Sequence, residues 1–156
     1  MLLRSLVATA IVCCQPAQAG DLDALDDSGR RVAEKPCARP KLSTKVEKSP
    51  HDESVTDRFI TQHCPGATSE IVRSSTSNYR HIIPLFASVS KPDSRLPSAF
   101  QVGTPLASIR SRLGIPEVEE SDSLTYLLPS ETLAERVTFV HDGMRVKRIQ
   151  WVWYFD

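Results

Sequence analysis

The chain has no HExxH, HxxxH or CxxC spacing. A metal centre draws three or four ligands from such patterns, so His51-Asp52 and His141-Asp142, each half of a hydrolase-like motif, do not make one. There is no charge surplus either, with 19 Lys and Arg against 19 Asp and Glu. That balance lacks the basic footprint of a nucleic-acid binder. The longest apolar run, Leu6 to Cys14, is about ten residues, well short of the roughly 20 that cross a bilayer as a helix. No family-specific flank surrounds a nucleophile, so no catalytic, cofactor-binding or metal residue is assigned.

What is present begins with an export signal. Arg4 precedes the apolar run, and Pro16 with the small-x-small triplet Ala17-Gln18-Ala19 follows it. That order is what the export machinery and its peptidase read. The expectation is a signal peptide over 1–19, a mature chain from near Gly20, and a periplasmic or secreted location. Cys13 follows Ile11 and Val12, which is a poor lipid-attachment signal. Beyond the leader only Cys37 and Cys64 remain, and an even count in an oxidising compartment favours a disulfide over two free thiols. Its loop of roughly 27 residues would bring about 3.5 kcal/mol in the chain-entropy account. A His63-Cys64 nucleophile is disfavoured on the same ground, and adjacent residues do not share a helix face.

Residues 20–50 alternate charges, hold Pro36, Pro40 and Pro50, and space Leu22, Leu25, Val32, Leu42 and Val46 without a sustained period, so they read as an extended or disordered arm. From 51 to 156 the pattern predicts a single domain. Asp52 to Cys64 suits a helix, with acids at its start, Val55 and Phe59 on one face and Pro65-Gly66 at its end. A strand is expected near Glu70–Arg73, a polar turn over Ser75–Asn78, and a strand from Tyr79 to Val89 that Pro84 makes an edge or bulged strand. Thr104 and Pro105 open a helix through Leu106, Ile109 and Leu113 that Gly114 and Pro116 close. Strands follow at Leu124–Leu128 and Val137–His141, then a two-residue hairpin turn at Asp142-Gly143 and a last strand from Met144.

In that last strand Met144 and Val146 have one parity while Ile149, Trp151, Trp153 and Phe155 have the other. A period of two cannot bury both sets without a bulge, expected near Lys147 and Arg148. Val152 and Tyr154 make the end apolar on both faces, which calls for burial on both sides or for a partner. Trp151, Trp153 and Tyr154 are therefore candidate partner-binding residues, with Arg145, Lys147 and Arg148 as a polar rim.

Val102-Gly103-Thr104-Pro105, the helix ending Leu113-Gly114-Ile115-Pro116, the aromatic strand, Val137-Thr138-Phe139-Val140 and Asp142-Gly143-Met144 through Ile149 together resemble the BamE/SmpA family of small bacterial envelope proteins. The resemblance covers residues 102–150 and implies a unit of helix against antiparallel sheet, which beta-lactamase inhibitor protein uses in tandem. A diverged first copy over 52–89, paired with 103–156, would be the corresponding repeat.

The expected fold is α+β, with short helices packed on one face of an antiparallel sheet. The expected function is non-enzymatic: a cell-envelope module binding another protein, either an inhibitor or immunity-type binder of an enzyme or toxin, or an envelope scaffold. The alternatives are a hydrolase with a histidine-based site and a small-ligand carrier, which needs an apolar cavity. The acidic loop Glu117, Glu119, Glu120 and Asp122 reads as solvated, or as a contact for a basic partner.

Overall fold

The computed structural model describes residues 19–48, 55–74, 82–130 and 135–153. Residues 1–18 of the expected leader, His51, the turn at 75–78, Tyr79, His81, Tyr154 and Phe155 lie outside them. Helix α1 (Ala19–Glu34) leads into strands β1 (Lys41–Lys48), β2 (Thr56–Cys64), β3 (Ala67–Ser74) and β4 (Ile82–Val89). Helix α2 (Leu106–Leu113) leads into β5 (Val118–Glu119), β6 (Ser123–Leu127), β7 (Arg136–His141) and β8 (Val146–Val152). The strands form one antiparallel sheet in the order β1-β2-β3-β4-β8-β7-β6-β5. The fold is α+β. Each half is a helix followed by a four-strand meander, and the halves meet through their last strands, β4 against β8.

Of the expected arm, the stretch to Glu34 is helical, while Lys41–Lys48 is an extended, exposed strand paired with β2. The apolar face of α1 comprises Leu22, Leu25, Val32 and Ala33, but Ser28 and Gly29 occupy its middle and are also buried. A face interrupted by a hydroxyl and a bare backbone gives no sustained hydrophobic period, which is why the helix was not legible. Its C-terminal end is satisfied by the sheet. The orphan carbonyl of Ala33 accepts from Gln62 Nε2 at 2.8 Å and from Ser69 Oγ at 2.9 Å, both buried.

The helix expected over Asp52–Cys64 is instead strand β2 where it is described. Val55 and Phe59 suggested a helical face, but Thr56, Phe59, Ile60 and Thr61 are β-branched or aromatic and suit a pleated surface. Pro65-Gly66, read as a helix stop, is the two-residue connection to β3. Gly66 has φ 89°, the positive value that the third place of a Pro-Gly turn requires. The helix that precedes the first four strands is α1, not a helix within 52–64.

Elsewhere the expectations hold more closely. Pro84 sits in the interior strand β4 at a bulge, where Glu70 pairs with Phe86 and Ile71 with Pro84. In α2, Leu106, Ile109 and Leu113 are buried and Gly114 has φ 74°. Thr104 does not cap that helix, because its Oγ1 accepts from the N–H of Gln101 at 3.1 Å.

The turn after β7 is longer than two residues. It runs from Asp142 to Arg145, with Gly143 at φ 90° and Asp142 Oδ1 accepting from the N–H groups of Met144 (2.9 Å) and Arg145 (2.8 Å). The bulge in β8 falls at Lys147, since Val140 pairs with Arg148 and His141 with Val146. This one extra residue lets Val146 and the opposite-parity set Ile149, Trp151 and Trp153 all enter the interior.

Candidate interaction surface

Strand pairing defines the two faces. Leu124, Phe139, Ile149 and Val89 stand in one row, and Tyr126, Val137, Trp151 and Ala87 in the next, so all share a face. All are buried in one core that also contains Leu25, Val32, Leu106, Ile109 and Leu113 of the helices. Trp151 Nε1 donates to the Leu25 carbonyl at 3.1 Å, and Trp153 Nε1 to Asp26 Oδ1 at 2.8 Å. Tyr126 donates its hydroxyl to the Gly114 carbonyl at 3.3 Å, and burial pushes its pKa up to about 12.

The tryptophans are thus not an exposed recognition ribbon. Trp151 is fully buried and Trp153 is 3 % exposed. The physical reason is the helix that the sequence concealed: α1 covers this end of β8, and its backbone and Asp26 satisfy the two indole N–H groups. Arg30 adds a cation over the Trp153 ring at 5.6 Å and ion pairs with Asp26 and Glu135, each at 2.9 Å. Tyr154 lies outside the described residues.

The three rim cations separate in role. Arg145 donates to the Gly103 carbonyl at 2.8 Å and so ties the hairpin to the turn before α2. Lys147 pairs with Asp142 at 2.8 Å, and its hydrogen bond, aided by the backbone N–H groups of the turn, holds the Asp142 carboxyl well below its ordinary range. Arg148 is exposed, and its side chain has no hydrogen bond or ion pair to another described residue. In the acidic loop, Glu119 takes a two-pronged bond from Arg110 at 2.7 and 2.8 Å, which lowers its pKa.

Opposite the tryptophans, one row of paired residues crosses all eight strands: Lys41, His63, Thr68, Ser88, Gln150, Thr138, Thr125 and Val118. The stretch from Thr68 to Thr125 is half-buried and carries only short hydroxyls and one amide. Thr125 and Thr138 share a hydrogen bond at 3.0 Å. Sequence reasoning missed this row. No strand shows it alone, since Phe86, Val152, Val140 and Leu127 share the parity of Ser88, Gln150, Thr138 and Thr125, and the row exists only once the register aligns five strands.

Cys64 is joined to Cys37 in a disulfide, so it offers no thiolate beside His63. Of the remaining described histidines, His63 is exposed, while His141 is 8 % exposed and its Nδ1 accepts from the Gly143 N–H at 3.1 Å. Among the described residues, no three His, Cys, Asp or Glu side chains converge to hold a metal, and no helix is long and apolar enough to cross a membrane. The chain matches no family model, no characterised protein and no solved structure.

Proposed function

We propose that this is an exported, non-enzymatic module of the bacterial cell envelope that binds another protein, as an inhibitor or immunity-type binder or as a scaffold, through the sheet face turned away from Trp151. In this reading both helices pack on the tryptophan face, and among the described residues the row from Thr68 to Thr125 on the other face stays half-exposed. Each helix is bonded to that face, α1 through the carbonyl of Leu25 and α2 through that of Gly114.

The observation that carries the proposal is the row Thr68, Ser88, Gln150, Thr138 and Thr125. Four of the five side chains are short hydroxyls that lose little rotamer freedom on contact, a cost of about 0.5–1.5 kcal/mol per immobilised long chain. The next row on the same face, Glu70, Phe86, Val152, Arg136 and Leu127, adds apolar and charged groups beside them. Lys147 and Arg148, on β8 with Gln150, flank the middle of the row and supply charge for orientation. Export is supported by the charged, apolar and small-residue order of the leader and by the disulfide. The BamE/SmpA resemblance over 102–150 is in keeping with an envelope role, and that span carries α2 and the antiparallel strands such a unit requires.

A photoreactive residue placed at Gln150 or Thr138 in the exported protein tests the surface. The expected result is one discrete adduct in envelope extract, absent when the probe is at exposed Ala107 on α2. Adducts from Ala107 alone would overturn the assignment.

A further inference from the structure

A groove of about 390 Å³ opens where the β2–β3 turn, the end of β4 and the bulge of β8 meet, lined among others by Gly66, Thr68, Ser88, Ser90, Lys147 and Arg148. We propose that it is an anion site, for a small molecule bearing a phosphate or carboxylate group. This assignment goes beyond the protein-binding surface and does not depend on it.

The first support is an imbalance of donors over acceptors. Two cations and three hydroxyls line the groove, and no carboxylate does. Arg148 presents a guanidinium with five donors, none engaged by another described residue. Lys147 spends one donor on Asp142 and retains two more. The Ser90 hydroxyl has only a long contact, 3.4 Å, to the Gly66 carbonyl. That carbonyl is already taken by the Ser90 N–H at 2.8 Å, so it offers a ligand little as an acceptor.

The second support is how the fold builds the site. Thr68 and Ser88 are directly paired, so their hydroxyls project side by side from adjacent strands. The extra residue in β8 breaks the strict alternation of faces at Lys147 and Arg148, and both line the groove. The missing β-carbon of Gly66 makes room for the stem of Lys91: a β-carbon there would stand 2.8 Å from Lys91 Cδ. Lys91 is thus a third basic residue against the lining. An anion brought here exchanges water for charge-assisted hydrogen bonds, which are about twice as strong as neutral ones.

The volume lies within the range of small-molecule sites, about 300–1,000 Å³. It exceeds a lone oxyanion, and the polar lining suits a phosphate ester or a hydroxylated carboxylic acid rather than an apolar ligand.

The test is an amide NMR titration of the disulfide-bonded protein with inorganic phosphate, citrate and, as an uncharged control, glycerol, at constant ionic strength. Saturable shifts confined to Gly66, Thr68, Ser88, Ser90 and Arg148 are expected with one or both anions and none with glycerol. Phosphate alone would identify a tetrahedral oxyanion as the preferred ligand, and citrate alone a carboxylate. Arg148→Gln should weaken binding at least tenfold, with Arg148→Lys in between, whereas Arg145→Gln should bind as the parent does. Arg148 is exposed and outside the core, so these variants should keep the parent spectrum elsewhere. No saturable shift with either anion, or an Arg148→Gln titration equal to the parent's, overturns the site.

Discussion

The indole of Trp151 rests against the backbone of Gly29, so closely that a β-carbon at Gly29 would lie 2.6 Å from Cδ1 and 2.7 Å from Cγ and Nε1. The contact lets α1 settle onto the sheet near enough for Trp151 to bond the Leu25 carbonyl. Gly29→Ala should gain up to about 1 kcal/mol in helix propensity and lose more by overpacking a rigid ring, for a net destabilisation of roughly 1–2 kcal/mol. Urea unfolding followed by tryptophan fluorescence measures this. In a Trp151→Leu background the same substitution should be neutral or stabilising, and an unchanged penalty there would assign the effect to the helix alone.

The pair Gln62 and Ser69 makes a non-additive prediction. Both donate to the carbonyl of Ala33, and Gln62 also donates to Ser69 Oγ at 3.2 Å. Removing either donor leaves the other on the carbonyl, so Gln62→Leu and Ser69→Ala should each cost about 1 kcal/mol. The double variant strips a buried acceptor of both partners. It should exceed the sum of the singles by roughly 1 kcal/mol or more, since an unsatisfied buried group costs about 1–3 kcal/mol.

The disulfide fastens the segment after α1 to the end of β2. A second tie crosses nearby, where Arg95 donates to the Lys35 and Pro36 carbonyls and to Asp93. Replacing both Cys37 and Cys64 by Ser should lower unfolding free energy by about 3.5 kcal/mol if the chain-entropy account holds. Loss of the Arg95 ties in an Arg95→Gln variant should be larger in that background than in the oxidised protein, measurable by equilibrium unfolding of all four forms.

The Arg95 hydrogen bond holds the Asp93 carboxyl below its ordinary value of 3.8. A carboxylate with a depressed folded-state pKa adds stability that is fully present above its unfolded value and fades as pH falls through the folded one. Stability should therefore decline in acid below about pH 4, partly through this group. Asp93→Asn should be less stable than the parent at pH 7 and should show a shallower fall between pH 5 and 2 in thermal unfolding.

The second half of the chain was largely legible because its elements are punctuated locally. Gly114 and Pro116 end α2, and the parity change between Val146 and Ile149 can be reconciled only by a bulge. The first half was not, because its burial is shared with polar or missing side chains. Ser28 and Gly29 hide the face of α1, and Gln62 and Ser69 are core residues with polar names. The two tryptophans were expected at the surface for the same reason. Without α1, Trp151 and Trp153 look like surplus aromatic surface, and with it they are the seam between helix and sheet. The polar row on the other face depends on register across five strands, information that no single segment contains.

The central claim is that partners meet the sheet face bearing Gln150 and Thr138. Its most direct test compares parent, Gln150→Arg/Thr138→Arg and Ala107→Arg proteins, each verified as folded, in quantitative affinity capture from envelope extract. The account predicts that a partner recovered by the parent and the Ala107 variant falls at least tenfold with the sheet-face variant. Equal recovery by all three, or loss only from Ala107→Arg, would contradict it.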